Sequence, residues 1–96
     1  LRRTMSNALQ REIPVVNKLG LHLRAAAQFV QTAGRFPCDV WVSKDGRRVN
    51  GKSIMGVMTL VAVKGSTLMV EAEGDKAAEC LEALVKLASD RFGEKE

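Results

Sequence analysis

Residues 38–51 read Cys38-Asp39-Val40-Trp41-Val42-Ser43-Lys44-Asp45-Gly46-Arg47-Arg48-Val49-Asn50-Gly51, and this stretch decides the fold. Val40 and Val42 alternate with Asp39 and Trp41, the period-two pattern of a strand with one buried face. Asp45-Gly46 is a two-residue connection that tolerates the positive φ angles of a tight hairpin turn. A strand over Cys38–Ser43 is therefore expected to fold back, antiparallel, onto a second over Arg47–Asn50. Asn50-Gly51 turns the chain again, and Ser53 is placed to cap a short helix running from Ile54 to about Val61.

Working outward, Leu23, Ala26, Ala27, Val30 and Ala33 recur at helical spacing, with Gly34 a natural stop. Alanines dominate this segment and no β-branched residue precedes Val30, which favours the helix further. Before it, Glu12–Lys18 reads as a strand with Ile13 and Val15 on one face. Pro14 has no amide to donate, which assigns that strand to a sheet edge. Gly20 then turns the chain tightly toward the helix. Downstream, Thr67–Glu73 alternates, with Leu68, Val70 and Ala72 on one face. Gly74-Asp75 leads into a last helix with Asp75 as the expected N-cap and Ala77, Cys80, Leu81, Leu84, Val85 and Ala88 as its apolar stripe. The order β-α-β-β-α-β-α predicts an α+β fold. It is a two-layer open-faced sandwich, an antiparallel four-stranded sheet with three helices on one face.

The chain has 96 residues, enough for one domain, read as residues 11–92. Residues 1–10 show no periodicity and read as a tail, with Met5 the natural start; residues 93–96 read as a C-terminal tail. The formal charge is +4, and setting aside Arg2 and Arg3 leaves +2. So small an excess is a poor argument for a nucleic-acid partner, and base stacking needs aromatic side chains where the strands offer only Trp41. No basic start followed by a long apolar run marks a signal peptide. The most apolar stretch, Ile54–Val63, is broken by Gly56 and Thr59 and is too short to cross a bilayer. Cys38 and Cys80 lie far apart without metal-ligand spacing and read as small buried residues, which suits a reducing cytoplasm. A lone histidine among scattered carboxylates offers no metal site, and no cofactor is expected.

That histidine is informative. His22 sits in Leu19-Gly20-Leu21-His22-Leu23-Arg24, between a strand's end and a helix's first turn. The first amides of a helix are unpaired and partly positive, and with Arg24 they suit a dianionic phosphoryl group. The same positive surroundings disfavour a protonated ring and keep a nitrogen available as a nucleophile. Phosphoryl transfer asks mainly for positioning and charge stabilisation. No GxxxxGK[ST] loop is present, so the donor is expected to be another protein or a small molecule rather than a bound nucleotide. From these residues alone, an ordinary histidine near a helix cap is as good a reading.

The segment Gly20-Leu21-His22-Leu23-Arg24-Ala25-Ala26-Ala27-Gln28-Phe29 resembles the active-site signature of the HPr family, the histidine-containing phosphocarriers of the bacterial phosphotransferase system. Asn50-Gly51-Lys52-Ser53-Ile54-Met55-Gly56-Val57-Met58 resembles the family's regulatory serine region, at the expected distance. The resemblance implies that His22 accepts the phosphoryl group from enzyme I as pros-phosphohistidine and passes it to the A components of permeases or related regulators. It implies that Arg24 steadies the phosphoryl group and that a serine kinase/phosphorylase acts on Ser53. It also implies a docking surface from Leu23, Ala27, Ile54, Met55 and Met58, no membrane insertion, and a monomer. Such a protein carries a phosphoryl group between proteins and completes no small-molecule turnover alone. The sequence departs from the family pattern at Ala25, where proline is usual, at Leu23, where a small or hydroxylated residue is common, and at Gln31 and Gly34, where lysines are frequent. A nitrogen-related or regulatory branch fits these departures. The competing reading is a regulatory binding module that works through Ser53 and the apolar patch with His22 silent.

Overall fold

The computed structural model describes residues 2, 3 and 8–96. Its elements are β1 (Arg2–Arg3), β2 (Leu9–Pro14), α1 (Leu23–Gly34), β3 (Asp39–Lys44), β4 (Arg47–Asn50), α2 (Ile54–Met58), β5 (Thr67–Glu73), α3 (Ala77–Ser89) and a 3₁₀ turn at Arg91–Gly93. The sheet order is β1-β2-β5-β3-β4, antiparallel throughout. The expected open sandwich is present, with four principal strands and the three helices packed on one face. The addition is β1, which pairs Arg2 with Gln10 and Arg3 with Leu9. Part of the segment read as a tail is thus in the sheet, while residues 1 and 4–7 lie outside the described residues.

The hairpin forms as Asp45-Gly46 dictates: both residues have positive φ, 51° and 83°. Gly51 follows at a close approach, where an added Cβ would lie 2.5 Å from Val40 Cγ1. Leu68, Val70 and Ala72 of β5 and Val40 and Val42 of β3 point into the core beside Ile13 and Val15. From the helices, Phe29, Leu81 and Leu84 fill the space between the layers. Among the described residues no helix is long and apolar enough to cross a membrane.

Three boundaries and one packed face differ from expectation, each for a local reason. β2 starts at Leu9 and ends at Pro14, not Glu12–Lys18. Beyond Pro14 the chain bonds to a turn instead of a strand, through Val15 N–H to Ser66 O and Gly65 N–H to Val15 O. β2 is not the edge strand that Pro14 suggested, since it lies between β1 and β5. Because Val15 N–H points toward the β5 side, antiparallel alternation turns the Pro14 nitrogen the other way, beyond the short pairing of β1 with Leu9 and Gln10. α1 buries Ala25, Ala26, Phe29 and Ala33, so its packed stripe is rotated from the one expected and Leu23 faces solvent. α2 ends at Met58, short of the expected Val61, which takes a positive φ of 49° and is exposed. Asp75 does not cap α3. That role falls to Lys76 in a left-handed conformation, with Cys80 N–H donating to Lys76 O.

The two cysteines are free, buried and close to one another. Burial and the neighbouring Cys38 push the Cys80 thiol up to about 12. Both behave as the packing residues the sequence suggested.

Candidate functional site

The loop between β2 and α1 is shaped by one glycine. Gly20 has φ +67°, and a Cβ there would lie 2.4 Å from the Ala62 carbonyl oxygen. That close approach lets Leu21 N–H donate to Ala62 O at 2.8 Å, which buries Leu21 and leaves the next residue outside. The next residue is His22. It is the N-cap of α1 in extended backbone, with no side-chain cap bond, and its carbonyl accepts from Ala26 N–H. Its side chain is 30% exposed, beside the unpaired amides of the first helical turn. Arg24 stands exposed in that turn.

His22 lines an open cleft of about 1090 Å³ together with Lys18, Leu23, Arg24 and Glu94. Its Nε2 hydrogen-bonds Glu94 Oε2. The other carboxylate oxygen, Oε1, accepts from Asn17 Nδ2 at 2.8 Å, and the same nitrogen donates to Gly20 O at 2.8 Å. Asn17 is fully buried, and its Oδ1 is without a hydrogen-bond partner. Burial alone would raise the Glu94 carboxyl. The hydrogen bonds from Asn17 and His22, with the charges of His22 and Arg24, outweigh it and hold the group below its ordinary value.

Glu94 reaches the site by an unusual path. Arg91, Phe92 and Gly93 all have positive φ, 57°, 54° and 82°, which reverses the chain after α3. Phe92 is buried and anchors the reversal, and Lys18 N–H donates to Glu96 O. Residues 93–96, read as a tail, therefore lie across the loop that bears His22. Sequence reasoning missed Asn17 and Glu94. Only an isolated phenylalanine after a polar helix end hinted that the chain returns to the core.

Ser53 caps α2, with Oγ accepting from Gly56 N–H at 3.1 Å. It is not among the cleft residues. Met55 is 75% exposed, Met58 and Leu23 are exposed, and Ile54 and Ala27 are partly buried on the paired helices α2 and α1.

A family profile described as "PTS HPr component phosphorylation site" matches residues 9–90. The chain belongs to the HPr family. Its sequence is 50% identical over 88 residues to the phosphocarrier protein HPr of Neisseria meningitidis, covering 92% of this chain and 99% of that one. It is 54% identical over 86 residues to the HPr of Pseudomonas aeruginosa, covering 88% and 96%. The crystal structure of HPr-C-His from Thermoanaerobacter tengcongensis superposes with a TM-score of 0.88 at 46% identity, covering 92% of this chain and 99% of that one. The two sequence segments that resembled HPr thus sit on an HPr fold, with His22 at a helix start.

Proposed function

We propose that this HPr-family chain does its phosphocarrier work through His22, taking a phosphoryl group from enzyme I on Nδ1 and handing it to permease components of the phosphotransferase system. The observation that carries the reading is a part-exposed imidazole at the start of α1, beside free amides and Arg24. Family membership supplies the function, and the site supplies a means. The amides and the guanidinium hold a dianion, and Nδ1 is the nitrogen without a carboxylate partner.

Leu23, Ala27, Ile54, Met55 and Met58 form the docking surface in this reading. Flexible thioethers on an exposed helix suit a surface that meets several partners. Ser53 is the regulatory site for a serine kinase/phosphorylase. A phosphate there would sit at a helix N-terminus, so it changes surface charge without opposing the fold. The cell compartment is the cytoplasm.

The test is incubation with enzyme I and phosphoenolpyruvate, followed by phosphorus NMR. An acid-labile imidazole phosphate on Nδ1, absent in His22→Ala, is the expected result. Acid-stable label confined to Ser53 after ATP and kinase, with none on His22, would instead make the protein a regulatory binding module.

A further inference from the structure

We propose that Val61, with Val63 and Leu19, forms an apolar shoulder beside His22 that seats enzyme I, and that Val61 is a specificity-determining residue for transfer onto the carrier. The inference rests on His22 being the phosphoryl acceptor. It extends the docking surface beyond the two helices to the segment that follows α2.

Val61 holds a conformation that its own side chain opposes. Its φ is +49°, a region where a branched β carbon crowds the neighbouring backbone. The backbone has a use for that step. Val61 N–H donates to Met58 O to close the turn after α2, and the chain then sends Ala62 into the core, where its carbonyl accepts from Leu21 N–H at 2.8 Å. Glycine would make the same turn without strain. The turn therefore does not call for valine, and at 71% exposed the side chain adds little to the core. An apolar side chain that strains its backbone and stays in water offsets that cost only when another surface covers it.

Its neighbours share the exposure. Val63 is 61% and Leu19 67% exposed. Gly20 brings their segments together, since a Cβ on it would lie 2.9 Å from Val63 Cα. Leu19 in turn lines the His22 cleft with Leu23, which joins the shoulder to the docking residues already named. Every large apolar side chain exposed among the described residues falls in 16–23 or 55–63, the loop that bears His22 and the segment packed against it. Side-chain stiffness points to the occupant. The thioethers of Met55 and Met58 adapt to several partners, whereas valine has a restricted χ1 and presents one shape. A fixed shape suits the partner common to every cycle, the donor enzyme I.

The test measures transfer from enzyme I and phosphoenolpyruvate to wild type, Val61→Asn and Val63→Thr, with urea denaturation of each. Asparagine tolerates left-handed backbone, so Val61→Asn should be at least as stable as wild type. Its KM as acceptor should rise about 5–10-fold with kcat unchanged, and Val63→Thr, which keeps the shape of valine, should show a smaller rise. Onward transfer from phosphorylated Val61→Asn to a permease A component should change by less than about twofold. An unchanged KM, a fall in kcat alone, or a less stable Val61→Asn overturns the inference, the last because the side chain would then serve the fold. An equal loss toward the A component overturns it too, as does a dimer in sedimentation that Val61→Asn dissociates with KM unaffected, which would give the shoulder to a second copy. A wild type that takes no acid-labile phosphate overturns the carrier reading and this inference with it. A normal wild type with unaffected variants overturns this inference alone.

Discussion

The Cα of Gly20 packs against the Ala62 carbonyl so closely that even a methyl group has nowhere to go. Two independent demands meet at this residue, a left-handed φ and a backbone oxygen that an added Cβ would meet at 2.4 Å. Gly20→Ala is therefore expected to lower stability by about 2–4 kcal/mol, combining backbone strain with a shift of the His22 loop. Urea denaturation checks this, and a loss below about 0.5 kcal/mol would contradict the geometry.

Ser53 offers a cap whose chemistry can be exchanged. Ser53→Ala removes the bond from Gly56 N–H and should cost about 1 kcal/mol. Ser53→Asp restores an acceptor and should return within a few tenths of wild type. Equal losses in both variants would mean that the hydroxyl does not cap α2.

Glu94 gives the protein an acid-sensitive seam. Its folded pKa lies below its unfolded value of about 4.5, so the folded state binds fewer protons over that interval. The stabilisation is complete above about pH 4.5 and is lost as the pH falls through the depressed folded value. Stability measured from pH 6 to pH 2 should fall less steeply in Glu94→Gln than in wild type.

Cys38 and Cys80 should be silent in the folded protein. With Cys80 pushed up to about 12 and both side chains buried, almost no thiolate meets solvent at neutral pH. A thiol-reactive disulfide reagent should modify neither until denaturant is added. Prompt labelling in the native state would show that the packing around Cys38 and Cys80 opens easily.

What was legible in the sequence was periodic or used unusual residues. Val40 and Val42, the alternation of Leu68, Val70 and Ala72, and the Asp45-Gly46 turn each reported a local geometry that tertiary packing kept. His22 and Arg24 were visible because a histidine at a strand-to-helix junction is chemically distinctive, and Ser53 because a cap is a local bond. The remainder depended on contacts distant in sequence. Glu94 is 72 residues from His22, and it meets the ring only because three successive residues take left-handed backbone. No periodicity encodes that. Asp75 failed as a cap because Lys76 turned the chain first. Leu23 matched a helical stripe yet faces solvent, since Ala25 and Phe29 fill the space beneath α1.

The reversal at Arg91–Gly93 also fixes where foreign sequence can be joined. Lys18 N–H holds Glu96 O at 2.6 Å, so an affinity tag or fusion partner attached after Glu96 would emerge at the mouth of the His22 cleft and crowd it. A fusion placed ahead of β1 starts beside Gln10, near the end of β2 away from that loop, roughly 15 Å along the strand. Labels for binding or transfer assays belong on that end of the chain.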